Sequence, residues 1–235
     1  MTTRTIRFST MIVLIMIGTF SLVFAQPKQK NVKSQKSRRN PKVEDIRLFN
    51  GKDLSNWVFQ LKDPAVNPSE VFSIRNGVIH ITGNPFGYMR TKDSFSDYKL
   101  HVEWRWPAGE ATNSGVFVNA QPPDAIWIKC IECQLAAGKA GDFVCMNGAD
   151  INERKDKTKI SVTKMGASSE KPVGEWNTME VVCMADTIEV YVNGVLQNKA
   201  TGVTVTSGHI CLQSEGKDIE FNNVFLTKLE KSGRR

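Results

Sequence analysis

The stretch Tyr98-Lys99-Leu100-His101-Val102-Glu103-Trp104-Arg105-Trp106 alternates apolar and polar side chains without a break. A period of two places one set on each face of an extended strand, and it does not fit the 3.6-residue stripe of an amphipathic helix. The same period returns in Thr187-Ile188-Glu189-Val190-Tyr191-Val192, which Asn193-Gly194 follows. Both turn residues tolerate positive φ, so the pair predicts a tight hairpin with 195–199 as the return strand. Other short apolar runs bounded by Gly, Pro, Asn and Asp read as strands over 71–75, 78–82, 115–119, 126–135, 143–146, 159–164, 178–185, 208–214 and 219–228. No helical window of useful length separates them. Many strands without crossover helices predict an all-β chain of two packed antiparallel sheets.

The predicted sheets do not begin at Met1. Arg4 and Arg7 precede an apolar run from Met11 to Phe24, interrupted only by Gly18, Thr19 and Ser21, and Ala25 stands before Gln26. This pattern predicts a removable export signal over 1–25, and hence a periplasmic or extracellular protein. An uncleaved anchor helix is the competing reading, but the run is short of the roughly 20 apolar residues of a membrane span, and none longer follows. No Cys closes the run as a lipoprotein anchor requires, and Arg4 and Arg7 are not a twin-arginine pair. Residues 26–43 are rich in Lys, Gln, Ser, Asn and Pro and too polar to bury a core, so they predict a disordered basic linker. One domain is expected over 44–230, with 231–235 as a tail.

The formal net charge of +7 suggests a polyanion binder until its distribution is read. Twelve of the 31 basic residues lie in 1–43 and 231–235, where there is no acid, so 44–230 keeps 19 against all 24 acidic residues, a net charge of −5. That balance argues against nucleic acid as a partner, which needs a basic face. The linker reads as solvated, with weak attraction to anionic lipid or cell-wall polymer as a further reading. The five cysteines are odd in number, and Cys130 and Cys133 fall on opposite faces of one strand, which disfavours a bond between them. Zinc or redox use of that pair lacks a second ligand pair, so buried thiols are expected.

Chemistry is sought on the faces turned away from the core. On 98–106 these carry Lys99, His101, Glu103 and Arg105. On 126–135 the mostly apolar set Lys129, Ile131, Cys133 and Leu135 reads as core, leaving Glu132 and Gln134 outward, and on 208–214 the outward set is His209, Cys211 and Gln213. If these strands share a sheet, Glu103, Glu132, Gln134, His209 and Gln213 form one polar surface, with Trp127 as a stacking platform for a sugar ring. Polar outward faces are the default of antiparallel strands, so plain surface competes with this reading at every position. Glu132 and Gln134 stand out because their strand is otherwise apolar enough to be central, where a carboxylate is costly without a partner or a use. Asn113-Ser114-Gly115 is either a site where a ligand approaches backbone or an ordinary turn. The three histidines lack metal-ligand spacing, and no nucleophile elbow, Walker loop or dinucleotide fingerprint occurs. Carboxylates are the economical acid–base candidates.

An ordered set of segments carries a family resemblance: Leu48-Phe49-Asn50-Gly51-Lys52-Asp53-Leu54 with Trp57, Glu103-Trp104-Arg105, Asn113-Ser114-Gly115-Val116-Phe117, Ile131-Glu132-Cys133-Gln134-Leu135, Gly174-Glu175-Trp176-Asn177, Val192-Asn193-Gly194-Val195, and Gly208 through Gly216. Over 46–229 the chain resembles the 3-keto-disaccharide hydrolase domain family (DUF1080). Cys133 departs from the hydrophobic or aromatic residue of many relatives. The resemblance implies a concanavalin-like jelly roll with a sugar-binding face, a small carbohydrate partner, and cleavage of glycosides oxidised at C3 by elimination and hydration. It also implies Glu132 and then Glu103 as catalytic residues, with Gln134, Asn113, Ser114, Trp127, Arg105, His209 and Gln213 binding substrate. A divalent ion chelated by the keto-sugar is compatible with it, although the sequence shows no ligand set. A non-catalytic sugar-binding module on the same sandwich is the alternative reading, and an envelope-interaction protein working through the basic linker is the third. Oligomeric state is not readable.

Overall fold

The computed structural model describes residues 45–107 and 109–230; the predicted export signal, the linker and the tail lie outside the described residues. The chain runs β1 (Asp45–Arg47), β2 (Trp57–Leu61), α1 (Pro68–Val71), β3 (Phe72–Arg75), β4 (Val78–Ile81), β5 (Gly87–Thr91), β6 (Phe95–Ser96), β7 (Tyr98–Arg105) and β8 (Gly115–Gln121). It continues β9 (Lys129–Gln134), β10 (Phe143–Met146), β11 (Ser161–Val162), β12 (Asn177–Met184), β13 (Thr187–Val192), β14 (Val195–Ala200), β15 (Ser207–Ser214) and β16 (Ile219–Lys228). Two antiparallel eight-stranded sheets result. One is ordered β14-β13-β12-β7-β16-β4-β3 with β1 also on β16; the other is ordered β11-β10-β9-β8-β15-β5-β2 with β6 also on β15.

The alternation of β7 is realised as written: Tyr98, Leu100, Val102 and Trp104 are buried between the sheets, while the intervening polar residues face away. Burying each such side chain stabilises the fold by about 1.5–3 kcal/mol. Asn193 (φ 49°) and Gly194 (φ 79°) close the hairpin between β13 and β14, and the positive φ at both matches the right-handed twist of the flanking strands.

The second sheet is apolar on both faces. Ile131, Cys133 and Leu135 join the main core, whereas Tyr88, Phe117, Ala120, Ile128, Cys130, Val144, Met146 and Cys211 form a separate buried cluster on the opposite face. Strands covered on both sides lose their alternation. That is why β5 escaped the sequence-based strand assignment; β2, an edge strand with Val58, Phe59 and Gln60 half-buried, was missed as well, and 126–135 overstated β9 while 159–164 overstated β11. A bulge in β8 helps shape this face: Val118 and Asn119 (φ 54°) both turn toward the core, Asn119 Oδ1 accepting from Tyr98 at 3.0 Å, so that Ala120 joins the outer cluster. All five cysteines are buried free thiols, with Cys130 and Cys133 on opposite faces as their spacing requires.

Candidate active site

The outer face of the second sheet carries two clefts, each of about 460 Å³, which meet at Trp127 and Glu215. One is lined by Glu132, Gln134, Gln213, Val144, Met146 and Ile160 among others. The second adds Lys62, Phe86 and Ile126 to the shared residues. Trp127 is 55% exposed and stacks on Phe86 with ring centroids 4.6 Å apart. It lies in the turn before β9 rather than in the strand. Arg90 holds that turn through Asp124, with Nε–Oδ1 at 2.6 Å and Nη2–Oδ2 at 2.7 Å, and the Tyr88 hydroxyl donates to Ala125 O at 3.1 Å.

Glu132 projects from β9 between Phe117 and Val144 of the neighbouring strands, and it is almost completely buried. Space for its carboxyl comes from the missing side chain of Gly115, where an added Cβ would lie 2.8 Å from Glu132 Cδ and 2.9 Å from Cγ. The predicted close approach to Gly115 is therefore made by Glu132. Its Oε1 has no hydrogen-bond partner. Burial first, and the charge of Glu215 second, push its pKa up from 4.5 to about 8.

Glu215 follows β15 and is half-buried. Desolvation raises its pKa, opposed by hydrogen bonds from Asn113 and Gln213. Gln213 Nε2 donates to Glu215 Oε2 at 2.9 Å, and Asn113 forms an isolated backbone bridge with Glu215. Two carboxyls therefore share one cleft in different environments, one buried and protonated at neutral pH, the other supported by amide donors. Such a pair can divide acid and base work. Glu215 was missed as a site residue, although a period of two from Cys211 through Gln213 leads to it.

Ser114 is buried, and its Oγ donates to Gln213 O at 2.9 Å, tying β8 to β15 beneath the cleft. Gln134 lines the cleft while its Oε1 accepts from the backbone N–H groups of Leu135 and Ala136. His209 sits on the same sheet but lines neither cleft; its Nδ1 lies 3.1 Å from Asp93 O. The expected common surface does not extend to Glu103 and Arg105. β7 belongs to the other sheet, so its outward face points away from Glu132. There Glu103 Oε2 accepts from Asn222 at 3.3 Å, and Arg105 pairs with Glu220 at 2.7 Å beneath Trp176. Alternation separates inward from outward on each strand, but it does not tell which sheet a strand joins.

Among the described residues no three His, Cys, Asp or Glu side chains form a metal cluster. Around the Glu215 carboxylate, however, Asn113 Oδ1 and Gln213 Oε1 are buried acceptors without partners. This all-oxygen set fits a hard divalent cation better than zinc.

A two-sheet sandwich with a carboxyl pair in a cleft on one sheet face defines a jelly-roll domain of the glycosyl hydrolase-like or carbohydrate-binding class. A model of the 3-keto-alpha-glucoside-1,2-lyase-like domain matches residues 44–227, and the chain belongs to that family. Its fold is similar to that of a proposed glycosyl hydrolase from Parabacteroides distasonis ATCC 8503 (22% identity, TM-score 0.58, covering 79% of this chain and all of that one). It is also similar to the carbohydrate-binding module CBM66 from Bacillus subtilis (11% identity, TM-score 0.55, 74% and 96% covered) and to the Bacillus licheniformis β-glucanase (14% identity, TM-score 0.52, 79% and 97% covered). No curated protein matches by sequence.

Proposed function

We propose that the domain cleaves glycosides already oxidised at C3, by eliminating the C1 substituent and then adding water. The supporting observation is the pairing of Glu132, buried and protonated at neutral pH, with the amide-supported Glu215 in one cleft. A ketone at C3 acidifies the C2 proton. Glu215, as carboxylate, removes it, and the electron pair of the C2–H bond moves into a C2–C3 enolate. Glu132 donates a hydrogen bond to the C3 oxygen where negative charge develops. The enolate then reforms the ketone, C1=C2 forms, and the bond from C1 to the leaving oxygen breaks. Because Glu215 borders both clefts, the proton it took can pass to the departing oxygen. Water adding across C1=C2 completes a net hydrolysis.

A divalent ion, if bound, would be held by Asn113, Gln213 and the Glu215 carboxylate, and would supply Lewis-acid polarisation of the C3 carbonyl. Gln213 orients Glu215 through its amide, and Trp127 offers an apolar face to a sugar ring.

Incubation of the protein with a 3-keto-disaccharide, with and without chelator, tests the reading. Release of the C1 substituent that disappears in Glu132→Gln and Glu215→Gln supports it. Binding without turnover, unchanged in both variants, would instead mark a sugar-binding module, the alternative for which exposed Trp127 speaks. Export is proposed on the pattern of residues 1–25, and N-terminal sequencing of the protein recovered outside the cytoplasm checks it: a first residue at or near Gln26 is the expected result.

A further inference from the structure

Glu132 and Gln213 line only one of the two clefts, whereas Glu215 borders both. Resting on the elimination reading, this gives the substrate a direction. The oxidised ring, with C2 and C3, occupies the cleft holding both carboxyls, and whatever is attached at C1 extends past Glu215 into the second cleft. One side of that second cleft is the apolar surface of Phe86, Ile126 and Trp127, with the Trp127 ring stacked on Phe86 and largely open to solvent. Among the described residues its only charged side chains are Glu215, at the junction, and Lys62. The Lys62 backbone is fixed where β2 ends, its N–H donating to Phe86 O at 2.8 Å. Among the described residues its ammonium has no carboxylate within ion-pair distance, although it stands on the wall of a cleft.

We propose that the second cleft is a leaving-group site selective for an acidic ring: a flat apolar face on the Trp127–Phe86 platform, with a carboxylate directed at Lys62. Repulsion from Glu215 fixes the polarity of such a group, since its acidic substituent is accepted only on the side away from C1. An aromatic acid linked through a hydroxyl opposite its carboxylate has this form, and a neutral isostere has the same shape without the charge.

The test compares equilibrium binding of 4-carboxyphenyl and 4-carbamoylphenyl glucosides, in both anomeric forms, to the full-length protein by calorimetry. These probes carry no C3 ketone and are not turned over. At low salt the carboxylate should bind about three- to five-fold more tightly than the amide, the size of one exposed ion pair. The preference should vanish in Lys62→Met, persist in Lys62→Arg, and fade at about 0.5 M salt. Equal affinities, a preference that survives Lys62→Met, or no detectable binding of either probe overturns the proposal. Turnover of the corresponding 3-keto-glucosides is measured alongside. Its absence together with an intact, Lys62-dependent preference would count against the elimination chemistry alone, whereas turnover without preference would count against the acidic leaving group alone.

Discussion

The Glu132 carboxyl occupies the space that a side chain at Gly115 would fill. The two residues lie on adjacent strands, Gly115 opposite Gln134 and Glu132 opposite Phe117, so the contact is a diagonal across the β8–β9 ladder. Gly115→Ala should therefore displace the carboxyl while leaving the backbone extended. Since a displacement of about 1 Å at a reacting group can cost roughly 10²-fold in rate, kcat should fall by about that factor. Adding the shorter Glu132→Asp should restore part of it. Steady-state kinetics of both variants, with melting curves to confirm folding, check this; full activity in Gly115→Ala would contradict the assigned position of Glu132.

The pH dependence follows from the two carboxyls. Glu132 acts protonated, so activity should decline as pH rises through about 8, while the acid limb, set by ionisation of Glu215, should lie above the ordinary glutamate value of 4.5. Glu215→Gln removes the lesser of the two causes that raise Glu132. The Glu132 titration, followed by NMR of its side-chain carboxyl, should move down in that variant yet stay well above 4.5, because burial is the larger cause.

The same group makes stability depend on pH. Between about 4.5 and about 8 the folded chain keeps the Glu132 proton that the unfolded chain has released, so stability is greatest below that interval and falls as pH rises through it. The loss is on the order of a few kcal/mol. Glu132→Gln should flatten the decline and be more stable than the parent at alkaline pH. Urea unfolding at pH 5 and pH 8.5 measures both slopes; a parent protein that gains stability over this range would show that the carboxyl is not buried as described.

How legible this was in the sequence depended on exposure. β7 and β13, with one face to the core and one to water, could be read directly from alternation. β5 could not, because Tyr88 lies in the outer cluster and Met89 in the main core, and burial on both faces erases the period. Glu132 was recognisable as a carboxylate in an apolar strand, but its pairing with Glu215 was not, since that residue is more than eighty positions away in the chain and joined only by the β8–β15 and β8–β9 pairings. Strand order across sheets is set by long-range packing, which is why Glu103 read as a partner of Glu132 although it faces away on the other sheet.

That separation has its own consequence. Glu103 is half-exposed beside Asn222 and His101 on the opposite sheet. Glu103→Gln should change kcat/KM by no more than about two-fold, the usual scale for a surface substitution. A loss as large as that of Glu215→Gln would mean that catalysis uses the other face of the sandwich.

The turn that presents Trp127 is held from the sheet beneath it. Asp124 accepts a two-pronged, partly buried bond from Arg90 of β5, and Tyr88 donates to the next residue's carbonyl, so the 122–128 turn is fastened to the sheet just ahead of the platform. Charge-assisted forked bonds of this kind add orientation as well as energy. In Arg90→Met the turn loses its fork while neither carboxyl is touched, and Asp124 is left without its cation. Substrate should bind more weakly, with KM raised about ten-fold and kcat largely kept, the pattern of lost uniform binding. Trp127→Ala should show the same pattern. Combining it with Arg90→Met should add little, because a turn with no platform to hold has no further binding to lose. Fully additive effects on KM would mean that Arg90 contacts the substrate itself rather than acting through Trp127.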